Sequence, residues 1–338
     1  MFSTRLDWEK QRNALSVLLD SKRRSGIRIV DLTESNPTRA GLLYPAEEML
    51  NALAAPRAID YEPCPAGLFP AREAVAEYYA ARGEAVSPAR MLLTASTSEA
   101  YGYIFKLLCN AGDEVLVPRP SYPLFEYLAA LEHVRPISYR LIYHDEWSID
   151  MDYLAGAITP RTRAVVVVNP NNPTGSFLKQ DELRQLQSLC TQHGLAIISD
   201  EVFSDYSLRN DSGRVASLVS GSDVLIFCLS GLSKIAGMPQ MKLSWIVLAG
   251  PLPQQEAARE RLELIADSYL SVSTPVQQAA PQLLKAGQSI QSQIQERIRA
   301  NFSRVRTTIT FQSRCSLLDI EGGWYAILQV PRTRTEEQ

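Results

Sequence analysis

Residues Ala164-Val165-Val166-Val167-Val168 form an apolar run with no polar residue at alternate positions. A half-buried strand alternates, so an unbroken run fits a strand covered on both faces, as inside a parallel sheet. Further candidate strands lie at 91–95, 115–118, 195–199, 224–229 and 243–248. Between them the apolar spacing lengthens to that of a helix. Residues 98–110 put Ala100, Ile104, Leu107 and Leu108 on one face, with Gly112 placed to end the helix. Residues 180–193 do the same with Leu183, Leu186 and Leu189, and Gly194 follows. Alternation of this kind over roughly 150 residues predicts an α/β domain with a mostly parallel sheet. Such sheets bind ligands outside the carboxyl ends of their strands, so chemistry is expected just after each apolar run.

The flanks differ. Residues 5–24 predict an amphipathic helix, carried by Leu6, Leu15, Leu18 and Leu19 and ending in Lys22-Arg23-Arg24. Residues 254–312 are largely helical in composition, with a break near Ser273-Thr274-Pro275. Residues 317–321, the pair Gly322-Gly323 and residues 324–330 read as a hairpin. Lying outside the central sheet, the two ends of the chain are placed to build a second, smaller domain.

Composition narrows the partners. The 338 residues carry 34 basic and 37 acidic side chains, a net charge of −3, so no basic excess is present to hold nucleic acid or an anionic membrane. The cysteines (Cys64, Cys109, Cys190, Cys228 and Cys315) include no C-x-x-C pair, and with 3 histidines they do not suggest a metal site. Arg5, Asp7, Glu9, Lys10 and Arg12 interrupt the first 25 residues as no signal peptide would. No run of about 18 apolar residues is present to span a bilayer. The expectation is a cytoplasmic protein with reduced thiols.

Polar groups gather where four apolar runs end. Ser96-Thr97-Ser98-Glu99 opens a helix, where hydroxyls and free N–H groups suit a phosphate. Asn169-Pro170-Asn171-Asn172-Pro173-Thr174-Gly175 carries more amide than a turn requires. Asp200-Glu201 puts a carboxylate at a strand end, which calls for solvent or a cationic partner. Ser230-Gly231-Leu232-Ser233-Lys234 sets a lysine after a buried strand and small residues. Alone, each has a plain structural reading: a cap, a turn, a second cap, a solvated lysine. Together they supply a phosphate cradle, an amide, a carboxylate and an amine along one sheet edge, the set that pyridoxal 5'-phosphate requires.

From Asp31-Leu32-Thr33-Glu34-Ser35-Asn36-Pro37 to Gly322-Gly323-Trp324-Tyr325, the chain resembles the fold-type I, pyridoxal-phosphate-dependent aminotransferases of class I/II. The NPNNPTG, SDEVF and SGLSK motifs, in this order, carry the resemblance. It implies a large domain with a mostly parallel seven-stranded sheet between helices, and a smaller α+β domain from both chain ends. The divisions expected are an N-terminal arm and part of the small domain at 1–39, a large cofactor-binding domain at 40–300, and an incomplete small domain at 301–338. The resemblance further implies that Lys234 forms the Schiff base with the cofactor and that Asp200 faces its ring nitrogen. Asn172 would donate to the phenolic oxygen, and Tyr122 would stack on the ring. Thr97, Ser98, Ser233 and Lys242 would hold the phosphate. Tyr61 would reach the phosphate of a neighbouring subunit, making the protein a homodimer with shared active sites. The substrates implied are an amino acid and a 2-oxo acid.

Some positions depart from the family pattern. Phe203 stands where a tyrosine usually meets the phenolic oxygen, Gly231 where a phosphate-binding serine is common, and Lys242 where an arginine is common. Relatives continue several dozen residues further, to an arginine that binds the substrate carboxylate. No residue here takes its place; Arg332 and Arg334 read as solvated tail residues, and Arg39 is an alternative for that role. The small domain is expected to be cut short, with Leu328 and Val330 poorly covered. Two other functions stay open at this point: a C–S β-lyase of the same fold, and a cofactor-binding chain inactive through truncation.

Overall fold

The computed structural model describes residues 2–6, 13–312 and 314–333. Helices α1 (Ala14–Arg24), α2 (Ala46–Leu53) and α3 (Phe69–Ala80) come first. Alternation begins with β1 (Met91–Thr94), α4 (Thr97–Leu108), β2 (Glu114–Arg119) and α5 (Leu124–Leu131). The hairpin β3 (Arg135–His144) and β4 (Glu146–Ile149) and the short α6 (Met151–Gly156) follow. Next come β5 (Thr162–Val168), α7 (Gln180–His193), β6 (Ala196–Asp200), β7 (Ile226–Gly231) and the single-turn α8 (Leu232–Ile235). The strand β8 (Ser244–Ala249) precedes α9 (Leu252–Asp267), the long α10 (Thr274–Gln312) and the two-residue strands β9 (Ser316–Leu317) and β10 (Leu328–Gln329).

The main sheet has the order β1-β8-β7-β6-β5-β2-β3-β4. From β7 to β3 every neighbouring pair is parallel, whereas β8 runs antiparallel to both β7 and β1. Two reversals bring β1 back to the direction of β7, so the carboxyl ends of β1, β2, β5, β6 and β7 share one edge. The amino end of β8 lies on the same edge. The sheet has an eighth strand beyond the seven expected, because Asp145, with φ +62°, turns β3 back into β4. Neither β3 nor β4 was among the predicted strands: β3 is mostly half-exposed, and no apolar run marks it.

The valine run of β5 shows why this sheet is buried on both sides. Val165 and Val167 enter one core layer with Leu116, Ile197, Trp245 and residues of α3, α7 and α10. Val166 and Val168 enter the other with Val117, Ile198, Phe227 and residues of α4, α5 and α9. Each fully buried side chain of this size stabilises the fold by about 1.5–3 kcal/mol. Gly194 ends α7 in the left-handed region at φ +65°, as its place in the sequence predicts.

The flanks depart in detail. Only a single 3-10 turn at Thr4–Leu6 and α1 are seen of the helix expected over 5–24, and residues 7–12 lie outside the described residues. α1 buries none of its side chains. The break near Ser273 separates α9 from α10 as expected, and α10 continues unbroken past residue 300. Leu328 and Val330 are exposed. Arg332 is exposed, and Arg334 lies outside the described residues. Among the described residues no helix is long and apolar enough to cross a membrane.

Gly322-Gly323 does not form a tight hairpin turn. The ladder pairs Leu317 with Leu328, and the ten residues 318–327 between them leave the strand pair to dock on the large sheet's loops. Glu321 N–H and Gly322 N–H donate to Gly175 O at 3.2 and 2.9 Å, and Gly323 N–H donates to Tyr206 O at 2.8 Å. The glycines serve this close approach. A Cβ on Gly322 would lie 2.6 Å from Tyr206 O and 2.7 Å from the Phe177 ring. Gly322→Ala is expected to lower stability by about 1–3 kcal/mol in a denaturant titration. Gly323→Ala has open space but a φ of +80°, and is expected to cost only about 1–2 kcal/mol. The reverse ranking would contradict docking as the reason for Gly322.

Candidate active site

A cavity of about 350 Å³ opens at the shared edge of the sheet. Ser96, Thr97, Ser98, Tyr122, Asn172, Asp200, Phe203, Ser233, Lys234 and Lys242 all line it. Of the cofactor-site residues expected from sequence, only Tyr61 is absent from the lining; it is exposed on the surface beside Pro63 and Cys64. Larger hollows of about 460 Å³ and 630 Å³ lie between α3 and α10 and beside β9, but neither gathers these groups.

Each side chain is placed by its element. Ser96 caps α4, its hydroxyl accepting from Glu99 N–H at 3.2 Å. The Glu99 carboxylate turns back to accept from Ala95 N–H at 2.7 Å. This reciprocal cap fixes the first turn and aims its remaining N–H groups, with Thr97 and Ser98, into the cavity. In the loop after β5, two of the three asparagines are braces. Asn169 Nδ2 donates to Val215 O at 2.9 Å and its Oδ1 accepts from Leu178 N–H at 2.9 Å. Asn171 Oδ1 accepts from Thr174 Oγ1 at 3.0 Å. Asn172 is the one left facing the cavity.

Asp200 ends β6 at the cavity floor. Its Oδ1 accepts from Val202 N–H at 3.2 Å and its Oδ2 from the Tyr101 hydroxyl at 3.2 Å. Burial pushes its pKa up to about 6, while these two hydrogen bonds and the Lys234 charge pull it down. Of the solvent or cation that the sequence called for, the structure offers the charge of Lys234, which reaches Asp200 without forming an ion pair. Burial lowers the Lys234 pKa, and Asp200 opposes that shift. Among the described residues the Lys234 amine makes no hydrogen bond or ion pair. Its Nζ lies 4.8 Å from the Trp324 ring centre and 5.4 Å from that of Phe203.

Two of the departures acquire physical reasons. Gly231 packs on β8, and a Cβ there would sit 2.8 Å from Ser244 Cβ, so this backbone leaves no room for serine. Lys242 holds a left-handed backbone at φ +51°, uncommon for a residue with a side chain, and it does so at the cavity rim. Sequence reasoning missed Ser35, Ser244 and Tyr325, which line the cavity, and Tyr101, which holds Asp200. Tyr101 lies one helical turn beyond Thr97, a spacing that puts both on one face and could have flagged it. Arg39 is exposed and does not line the cavity.

Residues 29–325 match the family model of the class I and II aminotransferases. The chain belongs to that family. This aminotransferase is 33% identical over 279 residues to the glutamate–pyruvate aminotransferase AlaA of Escherichia coli, a match covering 81% of this chain and 68% of that one. A crystal structure of an aminotransferase from Escherichia coli is 28% identical, with a TM-score of 0.84 over 98% of this chain and 83% of that one. The alanine aminotransferase of Pyrococcus furiosus shares the fold, with a TM-score of 0.86 at 24% identity over 99% of this chain and 86% of that one. Family membership makes amino-group transfer the activity of this aminotransferase and implies the use of pyridoxal 5'-phosphate.

The shifted carboxyl yields a prediction for the cofactor-free protein. Its pKa of about 6 lies above the unfolded value near 3.8, so folding favours the protonated form. Stability from this group is therefore fully present below about pH 4 and declines as pH rises to 6. Asp200→Asn lacks that titration. Relative to the variant, the wild type is expected to lose about 2 kcal/mol between pH 4 and 7 in denaturant titrations. Parallel pH profiles for the two proteins would contradict the burial argument.

Proposed function

We propose that the chain binds pyridoxal 5'-phosphate in this cavity through Lys234 and transfers the amino group of an L-amino acid to a 2-oxo acid. The observation that carries the reading is the meeting of the Lys234 amine, the Asp200 carboxyl, the Asn172 amide and the α4 amino terminus in one cavity. The donor set fits the cofactor group by group. Asp200 answers a ring nitrogen, Asn172 a phenolic oxygen, Lys234 an aldehyde, and the hydroxyls of Thr97, Ser98 and Ser233 with the Lys242 cation a phosphate. When bound, the cofactor ring supplies a sink for the electron pair released when the substrate Cα–H bond breaks.

The protein's part follows from its own groups. Asp200 is ionised at neutral pH, and a cation placed against it would hold it further in that form. It can thus keep a proton on a facing ring nitrogen. Tyr101 and Val202 fix the carboxyl from two sides, so it need not reorganise. Asn172 donates from a loop braced by its two neighbours, and Tyr122 covers one face of the cavity. Phe203 packs edge-on to Trp324 at 5.2 Å and offers no hydroxyl, leaving Asn172 as the donor on that side. Lys242 presents a point charge where arginine would present a two-pronged fork.

Lys234 is suited to proton transfer. A lowered pKa raises the fraction of neutral amine at working pH, and Nζ can then take the substrate Cα proton and return it elsewhere. Exposed Tyr61, with exposed Ile59 close by, supports a second copy docking on this surface. In that homodimer Tyr61 would complete the partner's phosphate site.

Glutamate as donor and pyruvate as acceptor, the pair in the relative's name, are the substrates to try first. Turnover is expected to require both, and Lys234→Ala is expected to lower kcat by about 10³-fold or more. Release of an oxo acid and ammonia from one amino acid, with no acceptor present, would instead show lyase chemistry.

A further inference from the structure

Helix α8, which carries Lys234, spans only Leu232–Ile235 and cannot satisfy its own carbonyls. Three side chains distant in sequence serve the carbonyls of α8 and of the turn that follows it. The Tyr206 hydroxyl donates to Lys234 O at 2.6 Å. Gln291 Nε2, from α10, donates to Ile235 O at 2.9 Å, and the Tyr44 hydroxyl donates to Gly237 O at 2.6 Å. Of the three, Tyr206 alone also holds the wall facing the amine. Its backbone carbonyl accepts from Gly323 N–H at 2.8 Å, and its ring meets Trp324 edge-on at 5.2 Å. Trp324 is one of the two rings that lie against Lys234 Nζ. Tyr206 is fully buried. Asp205, Tyr44 and Arg82 are the titratable groups whose charges reach it, and burial is the main influence, pushing its pKa upward. The hydroxyl therefore remains a donor throughout the working pH range.

We propose that Tyr206 is the positioning residue for Lys234, joining the lysine's main chain to the Trp324 wall through its hydroxyl, ring and carbonyl. This rests on Lys234 being the cofactor lysine. The joint couples two segments about 90 residues apart in the sequence. Phe203 also meets both the Trp324 ring and the amine, but Tyr206 is the one that bonds the lysine's main chain. The coupling is a chain of packed and hydrogen-bonded contacts of the sort that carries positioning. Without the hydroxyl, Lys234 O keeps only its local backbone donors, Gly237 N–H at 3.2 Å and the capping Ala236 N–H. The amine then spends more time away from the rings and the buried carboxyl, and its basicity moves toward that of ordinary lysine.

The test compares Tyr206→Phe with Tyr44→Phe, which loses a hydrogen bond of equal length, made to Gly237 O and not to Lys234 O. In cofactor-free protein, the rate at which an amine-acylating reagent labels Lys234 is followed against pH by peptide mass spectrometry. Tyr206→Phe is expected to raise the labelling midpoint by about half a unit or more, and in the loaded enzyme to lower kcat about five- to tenfold with KM within about twofold. Tyr44→Phe is expected to leave the midpoint in place while lowering the melting temperature to a similar degree. A wild-type midpoint and kcat in Tyr206→Phe, or equal shifts in both variants, would overturn the proposal. Trp324→Leu removes the other arm of the joint and is expected to raise the midpoint too; no shift there would overturn it even if Tyr206→Phe did not fold. Pyridoxal 5'-phosphate is expected to protect Lys234 from labelling in the wild type. Failure to protect would overturn the role of Lys234 and the joint with it, whereas protection with an unaltered Tyr206→Phe overturns the joint alone.

Discussion

A carboxyl and an amine, Asp200 and Lys234, line one cavity, and burial there disfavours the charge on each. Burial drives both toward their neutral forms, and only their mutual attraction and the two donors on Asp200 oppose it. Much of the surrounding structure can be understood as what holds this uneasy pair in place. β6 and β7 are adjacent and parallel, so residues following their carboxyl ends arrive side by side. Both strands are buried along their apolar length, and β6 is held on its other side by the valine run of β5. A cationic ring nitrogen would relieve the strain on Asp200, which makes the cofactor-free site a poised one.

A second constraint comes from the far end of the chain. The segment 318–327 leaves its short ladder and inserts Glu321 and Gly322 against the loop that presents Asn172. Glu321 is almost fully buried and receives the Lys179 amine at 2.5 Å, with Arg209 3.7 Å away. Breaking such a pair by removing one partner typically costs about 3–5 kcal/mol. The pair pins the segment to α7's first turn, and Gly322 lets the backbones touch. Tyr325 is thereby carried to the cavity and Trp324, 90 positions from Lys234 in sequence, to the side of its amine.

What could be read from sequence divides along physical lines. The strands β2, β5, β6, β7 and β8 were legible because burial on both faces writes an unbroken apolar run. β3 and β4 were not, since a half-exposed edge strand carries mixed residues that fit several structures. The site groups at strand ends were legible because topology alone sends them to one edge. Tyr101, Ser35 and Tyr325 were not, because their importance depends on where other segments pack. Gly322-Gly323 was misread as a turn: the pair is common to hairpins and to close backbone approach, and only the position of Gly175 and Tyr206 decides between them. The three asparagines after β5 show the same limit, since nothing in their spacing separates the two braces from Asn172.

The central claim is that Lys234, rather than another amine, carries the cofactor. Lys242 lines the same cavity and is the natural rival. Loading the protein with pyridoxal 5'-phosphate, reducing it with borohydride and mapping the modified peptide tests the claim directly. The account predicts a single adduct on the peptide containing Lys234, absent from Lys234→Ala. An adduct on Lys242, or one retained in Lys234→Ala, would contradict it.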